Sequence, residues 1–503
     1  MEKIAFIEIT SYTAKLIIAE VVQNSSFAIV ERQSDDVSLS LDGEKDHFLK
    51  KSQIDQAIKV LKNFRKICDE AEVTKTVCNC TFAQDVKPKN LISFCDEVYT
   101  SCGFKFNLME PEAQTMTLYN AVINTLDVPK GIAVMVDDDC VRIIWYARRN
   151  ILGQKILTFG PVTLASMYEN LDVEERLSKL TKYVKKEVDK IGFELGQEEN
   201  IICGAGKYFI DIARMVKKYK KYPFENIHGY TIKNEDIAYI SKQIRTLGID
   251  KSKKIKGLND ARSDLFLFST LIIETILSTF NATGVVISKN ALLEGIMLVN
   301  TMQVLEEKPI ADILGFSLTN ISGAYDRKNM VHNEQVASLA LLLFRQLRVI
   351  HKLPRLYIKV LRAAAYLHDM GKRVGFDDHA RYGYYVTLNS DIYGLTHREI
   401  ILAGFVVSLH NGGDIMLSEW VKYTGIVSEE DLEAVKKLGT ILHLAEKLDR
   451  SKKSVIVDIN CDILGDSVIM KTESNTDSSF EITEALKVQK EFERNFKKKI
   501  EIL

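Results

Sequence analysis

The sequence predicts an α/β protein followed by an all-α one and a small closing α+β segment. Three observations carry this. A strand–turn–strand opening at residues 4–22 recurs in form at 131–147. From His332 to Lys453, apolar residues keep an almost unbroken helical spacing. Beyond Lys453 the pattern alternates again and then becomes amphipathic with a helical period. Side chains alternate across a strand and recur every three to four residues on a helix, so the two periods separate the two element types.

The elements follow in order. Ile4-Ala5-Phe6-Ile7-Glu8-Ile9 is a buried-strand pattern, and Lys15–Val22 returns after a polar turn, so a hairpin opens a sheet. Ile54, Ala57, Ile58, Leu61, Phe64 and Ile67 share one face of a helix over 51–71. A strand near 73–80 and a helix near 88–101 come next. The apolar run from Leu265 to Phe280 carries Glu274 and several hydroxyls, which predicts a buried helix and not a membrane span. Residues 301–330, with Pro309, two glycines and mixed polarity, are the candidate linker. Ser454–Ile459 and Val468–Lys471 predict strands around Gly465-Asp466. A final helix is expected over 481–499, with Lys497-Lys498-Lys499 near its end, where cations suit the helix dipole. The domain boundaries read this way are 1–125, 126–300, 301–453 and 454–503.

Bulk composition narrows the function classes. At 503 residues the chain exceeds one core. With 46% hydrophobic and 27% charged residues it is globular. A net charge of -1 gives no global field toward nucleic acid or a membrane, so neither partner is expected. Met1-Glu2-Lys3 leads straight into a strand pattern, so no signal peptide is expected, and the eight cysteines are scattered. A cytoplasmic protein with reduced thiols is the expectation. The basic runs Lys217-Lys218-Tyr219-Lys220-Lys221 and Lys251-Ser252-Lys253-Lys254-Ile255-Lys256 could guide a polyanion, but such runs are more often solvated faces.

The chemistry concentrates late. Seven of the nine histidines fall between His332 and His443, around the dipeptide His368-Asp369. That crowding points to a metal-dependent phosphohydrolase site. Neutral imidazoles and a shared carboxylate can hold a divalent ion, which lowers the pKa of a bound water and steadies charge on phosphoryl oxygens.

Several motifs together resemble those of one family. Tyr366-Leu367-His368-Asp369-Met370-Gly371-Lys372 is followed by Leu388-Asn389-Ser390-Asp391, by Gly394-Leu395-Thr396-His397-Arg398-Glu399, and near the end by Phe492-Glu493-Arg494-Asn495-Phe496. Over essentially its whole length the chain resembles the Ppx/GppA family of exopolyphosphatases and guanosine pentaphosphate phosphohydrolases. The resemblance implies two actin-like ribonuclease-H-fold halves followed by a helical HD-type domain. It also implies hydrolysis of acid anhydrides in polyphosphate or a phosphorylated nucleotide, one or two divalent ions (Mg, Mn or Fe) per chain, and a homodimer.

The N-terminal motifs depart from the family's. Glu8-Ile9-Thr10-Ser11-Tyr12-Thr13 stands where the first phosphate loop usually reads Asp-hydrophobic-Gly-Ser-Asn-Ser. Asp137-Asp138-Asp139-Cys140 replaces a glycine run that cradles phosphate. An aspartate 4 Å from a phosphate oxygen would repel it by about 4 kcal/mol at an effective dielectric near 20. Three adjacent carboxylates do not converge on one ion, so a solvated turn is expected there. Two family arginines are replaced, by Ala83 and Thr163, and the catalytic glutamate lands on Pro111 or Glu112. Ser11, Thr13, Gly204 and Gly206 remain as a remnant phosphate-binding frame, with Arg262-Ser263-Asp264 and Glu294-Gly295 as frame residues. This predicts an impaired N-terminal site.

By the same resemblance, the helical domain's first ion falls to His332, His368, Asp369 and either Glu446 or Asp449, and a second to His379 and His410. The acidic candidates lie in Ala445-Glu446-Lys447-Leu448-Asp449-Arg450, where the family has aspartate at the first position. Lys372 would meet a phosphate, making Asp369, Lys372 and Glu112 the catalytic candidates. His351, His397 and His443 are expected at the surface or at helix ends, with His397 capping its helix. The alternative to an enzyme is an inactive protein that binds a nucleotide or polyphosphate and regulates.

Overall fold

The computed structural model describes residues 2–22, 26–39, 47–82, 87–193, 200–247, 265–301 and 309–503. The chain divides into two compact units, Met1–Ala311 and Asp312–Leu503. Ala83, Lys251–Lys256 and Arg262-Ser263-Asp264 lie outside the described residues.

The first unit is built on two sheets. Strands β1 (Glu2–Ile9), β2 (Thr13–Val22), β3 (Ser26–Asp36), β4 (Lys75–Cys80) and β5 (Phe106–Leu108) run in the order β3-β2-β1-β4-β5. The first three form an antiparallel meander, and β4 and β5 add in parallel. The second sheet holds β6 (Lys130–Val136), β7 (Val141–Ala147), β8 (Asn150–Leu157), β9 (Asn200–Ala205), β10 (Thr231–Lys233) and β11 (Ala282–Ser288), in the order β10-β11-β9-β6-β7-β8. Strands β8-β7-β6-β9-β11 repeat the first order and the same strand directions, with β10 added at one edge. This duplicated order is the actin-like, ribonuclease-H-like arrangement that the resemblance implied.

Helices between the strands carry the cores. Helix α1 (Lys51–Glu70) buries Ile54, Ala57, Ile58, Leu61, Phe64 and Cys68, a stripe at helical spacing. Each fully buried large side chain on that stripe contributes about 1.5–3 kcal/mol. Helices α2 (Leu91–Cys102) and α3 (Pro111–Ile123) follow in the first half, and α4 (Lys207–Lys220), α5 (Phe266–Thr279) and α6 (Leu292–Thr301) in the second. Helix α5 is buried on nearly every face, as its apolar run predicts, and no helix among the described residues is long and apolar enough to cross a membrane. Strand β3 was not legible as a strand. Its first residues are buried but its last five are all exposed, so no alternation marks it.

The second unit is helical with a small sheet. Its helices are α7 (Ile313–Tyr325), α8 (Met330–Gln346), α9 (Tyr357–Leu367), α10 (His379–Asn389), α11 (His397–Leu409) and α12 (Glu429–Lys447). Helices α8, α9, α11 and α12 pack against one another, and α10 lies along α11. Helix α7 occupies residues expected to be linker. Asp312 caps it through the Gly315 amide, and Ile313, Leu314, Leu318 and Ile321 are buried. Strands β12 (Ile456–Leu464) and β13 (Ser467–Ser474) form the expected hairpin, with Gly465 at φ +49° in its turn. The single helix expected over 481–499 is instead α13 (Ser479–Leu486), α14 (Gln489–Phe496) and a strand, β14 (Lys499–Ile502), parallel to β13. Lys497 ends α14 at φ +58°, and the alternation of Ile500 and Ile502 then suits a strand with one buried face.

Candidate functional site

In the second unit the helix ends bring four histidines to one place. His332 lies in the first turn of α8, His368 follows the last residue of α9, His379 opens α10, and His410 follows α11. All four are buried, as is Asp369. Ligand-capable atoms of His332, His368 and Asp369 lie within 4.8 Å of one another, and so do those of Asp369, His379 and His410. Asp369 belongs to both groups.

Gly371 allows the close packing on which the cluster depends. A Cβ there would sit 1.9 Å from the His379 carbonyl oxygen and 2.5 Å from the Gly383 amide. The bare backbone therefore lets the short 3-10 turn at Met370–Arg373 press against α10.

The hydrogen bonds fix the tautomers. Nδ1 of His368, His379 and His410 lies 2.7, 2.8 and 2.6 Å from the carbonyl oxygens of Ala365, Phe376 and Val407. A carbonyl only accepts, so each Nδ1 carries the proton and each Nε2 presents a lone pair when the ring is neutral. Nδ1 of His332 lies 2.7 Å from Asp449 Oδ2, with the same consequence. Among the described residues, Nε2 of His332 and of His368 has no hydrogen-bond partner, and that of His368 lies 3.4 Å from Asp369 Oδ1. Nε2 of His379 lies 3.0 Å from Nε2 of His410, a separation at which the two nitrogens share one proton or one cation. Burial pushes His410 down to about 3 and also lowers His368, so these rings stay neutral at ordinary pH.

Cations surround the carboxylates. Lys372 Nζ lies 2.6 Å from Asp369 Oδ1, and Lys452 Nζ lies 3.2 Å from Oδ2. Burial alone would raise Asp369, but His368, Lys372 and Lys452 hold it below the usual carboxylate range. For Glu446, burial is likewise outweighed by Lys447, His368 and Arg450, and its carboxyl titrates at about 2. Glu446 is buried and paired with Lys447 and Arg450. Both oxygens of Asp449 are occupied, Oδ2 by His332 and Oδ1 by the Ser454 amide at 2.8 Å. Lys452 was missed in the sequence. It lies two residues beyond the Asp449-Arg450 ending, and its φ of +59° gave no sequence signal.

Of the other three histidines, His351 ends the short helix Arg348–His351 and His397 opens α11, as expected of helix ends, whereas His443 lies inside α12. His351, His397 and His443 are buried. His351 Nε2 meets the Phe344 carbonyl at 2.7 Å, and His443 Nδ1, near the C-terminal end of α12, meets Glu491 at 2.8 Å. His397 does not cap α11. Thr396 does, in a reciprocal arrangement with Glu399.

In the first unit the Asp137-Asp138-Asp139 turn is not solvated. Its carboxylates diverge to three partners: Asp137 to Arg142, Asp138 to the Tyr208 hydroxyl at 2.5 Å, and Asp139 to the Ser11 hydroxyl at 2.9 Å. Arg142 is fully buried and also donates to Gln114 Oε1. Gln114 in turn donates to the carbonyls of Phe82 and Met109. Glu112, two residues earlier, is exposed on the first turn of α3, and Pro111 takes the first helical position. Thr13 is bound into the β1–β2 turn, where its hydroxyl and amide meet Thr10 Oγ1. Gly204 lies against Phe209, where a Cβ would come within 2.4 Å of the ring. Gly206 turns the chain from β9 into α4 at φ +89°. Lys217, within the first basic run, is buried and donates to the carbonyls of Glu225 and Asn226.

Comparison with known proteins agrees with this architecture. The chain is 25% identical over 314 residues to a bifunctional 3-dehydroquinate synthase/phosphatase of Fusobacterium nucleatum, covering 58% of this chain and 46% of that one. It thus spans about half the length of that relative. A Ppx/GppA family member from Aquifex aeolicus superposes with a TM-score of 0.52 at 22% identity, over 61% of this chain and 98% of that one. An exopolyphosphatase from Cytophaga hutchinsonii superposes with a TM-score of 0.53 at 18% identity, over 60% of this chain and 98% of that one. At these identities the likeness speaks for the fold alone. The description of the Ppx/GppA phosphatase family itself matches residues 17–303, more than half of the chain, and that of the family's domain III matches 319–491. The chain belongs to the Ppx/GppA phosphatase family.

Proposed function

We propose that this protein is a phosphohydrolase whose better-preserved centre is an HD-type metal site in the second unit, acting on a phosphoanhydride or phosphate ester. The observation that carries it is the set of four imidazole Nε2 lone pairs, each fixed by a tied Nδ1, gathered around one shared carboxylate. The Nε2 atoms of His379 and His410 meet at 3.0 Å beside Asp369, where a divalent cation would take the place of a shared proton.

His332, His368 and Asp369 would hold one divalent ion, with Glu446 beside them, and Asp369, His379 and His410 a second. Asp449 would orient His332 instead of binding an ion, because both its oxygens are already used. Mg, Mn or Fe would polarise a phosphoryl oxygen and acidify a water. Lys372 and Lys452 would turn toward the phosphate once Asp369 no longer needs their charge. Polyphosphate or a guanosine polyphosphate as substrate, a homodimer and a cytoplasmic location rest on family membership.

We infer also that the N-terminal site of the first unit is impaired as a polyphosphatase. Ser11 is committed to an internal carboxylate, and three carboxylates stand where the family keeps glycines.

A phosphate-release panel of polyphosphate, guanosine polyphosphate, nucleotides and cyclic dinucleotides with Mg or Mn tests the proposal. Activity should fall at least about 100-fold in His368→Ala and stay within about threefold in Glu112→Ala. The reverse pattern would place the chemistry in the first unit. Elemental analysis should find about one to two ions per chain, and an absence of binding would remove the site.

A further inference from the structure

The first half of the first unit carries five of the eight cysteines: Cys68, Cys78, Cys80, Cys95 and Cys102. All five are unpaired, and four of them are buried. Two meet. Cys80 ends β4, and Cys95 lies one turn into α2, the helix packed beside it. Their sulfurs are 3.9 Å apart, in van der Waals contact. Cys95 is the partly exposed member, and Cys80 is almost fully buried.

Cys80 is also reachable from one side. It lines a small opening of about 20 Å³ with Phe82, Lys87, Leu91, Leu108 and Pro111, enough for one water-sized molecule. Fifteen residues separate the two positions in sequence, so a bond between them would close a short loop.

We propose that Cys80 and Cys95 are a redox-modification site, a dithiol that a hydroperoxide converts reversibly to an intrachain disulfide. The partly exposed Cys95 thiolate attacks one peroxide oxygen, and the O–O bond breaks. Cys95 becomes a sulfenic acid, and the leaving oxygen departs as hydroxide and takes a proton to give water. The Cys80 thiol then attacks the Cys95 sulfur, the S–O bond breaks, and a second water leaves with the Cys80 proton. Two thiols have lost two electrons to one peroxide, and a dithiol reductant reverses the change. Cys95 sits in the environment such chemistry needs, since hydrogen bonding to Cys80 lowers its pKa against the effect of burial.

The site lies next to the end of β1, where Glu8 and Ile9 precede the β1–β2 turn. The Cys80 carbonyl accepts from the Met109 amide, and Thr81 bonds to Glu8 and to the Ile9 carbonyl. Drawing Cys80 toward α2 therefore pulls on the end of β4 where these contacts are made.

The test is a hydrogen peroxide titration of the full chain, followed by alkylation and non-reducing peptide mapping. Loss of two thiols with one dominant Cys80–Cys95 cross-linked peptide, restored by dithiothreitol, is the expected result. Replacement of the partly exposed thiol in Cys95→Ala should slow the first thiol loss by about tenfold or more, and Cys80→Ala should leave Cys95 as a trapped sulfenic acid. Over-oxidation of wild-type Cys95 with no cross-link, or a mixture of linkages among the five cysteines, would overturn the proposal. So would resistance of both thiols until the protein is denatured. The wild-type mapping decides the matter even if a variant folds poorly.

Discussion

Ser11 Oγ donates to Asp139 Oδ2 across 2.9 Å, tying the turn after β1 to the turn between β6 and β7. The bond joins the two halves of the first unit through their corresponding hairpins. A double-mutant cycle on Ser11→Ala and Asp139→Ala should give a coupling of about 1–3 kcal/mol in chemical denaturation, the range for a hydrogen bond to a charged group. Additive single effects would mean the bond is not formed in solution.

Arg142 should be the costliest single truncation in that region. It is fully buried and serves both Asp137 and Gln114. Arg142→Ala leaves Asp137 without its main counter-charge, and a loss of about 3–5 kcal/mol is expected. Arg32→Ala removes the half-exposed partner of Glu294 and should cost no more than about 1 kcal/mol. Denaturant midpoints of the two variants check the ranking.

Asp449→Asn should weaken metal uptake about 10- to 100-fold without removing an ion ligand, because it changes only what holds His332 Nδ1. His410→Ala should remove a ligand outright. Calorimetric titration with Mn separates the two. Saturating metal at about 100 times Kd should also stabilise the wild type by about 2.7 kcal/mol, and His410→Ala should lose that gain.

Lys217 gives a pH-dependent prediction. Burial pushes it down to about 8 from an ordinary value of 10.5. Between these values the unfolded chain holds the proton and the folded chain does not. Stability from this residue is therefore lowest below pH 8 and rises as the pH climbs toward 10.5. Wild type should gain on Lys217→Met between pH 7 and pH 9.5 in denaturant titrations. An unchanged gap would contradict the buried ammonium.

Much of the fold was legible because amphipathic periods are local. The stripe on α1 and the two opening hairpins were read directly from spacing. What failed depended on distant partners. The final helix became two helices and β14 because Ile500 and Ile502 found an edge on β13, more than thirty residues earlier. The aspartate turn looked solvated because its partners Ser11, Arg142 and Tyr208 lie on other elements, two of them far along the chain. For the metal-ligand candidates, the motif found His332, His368, Asp369, His379 and His410, and the structure gathers these five. Lys452 stayed hidden because only the chain reversal after α12 brings it to Asp369.

The shared strand order of the two sheets has a consequence for how the two halves close on each other. Strands β1 and β2 correspond to β6 and β7, so Ser11 and Asp139 occupy equivalent turns of a duplicated unit. Each copy then forms part of the other's environment. A substitution at either turn therefore leaves a polar group without its partner in the other half.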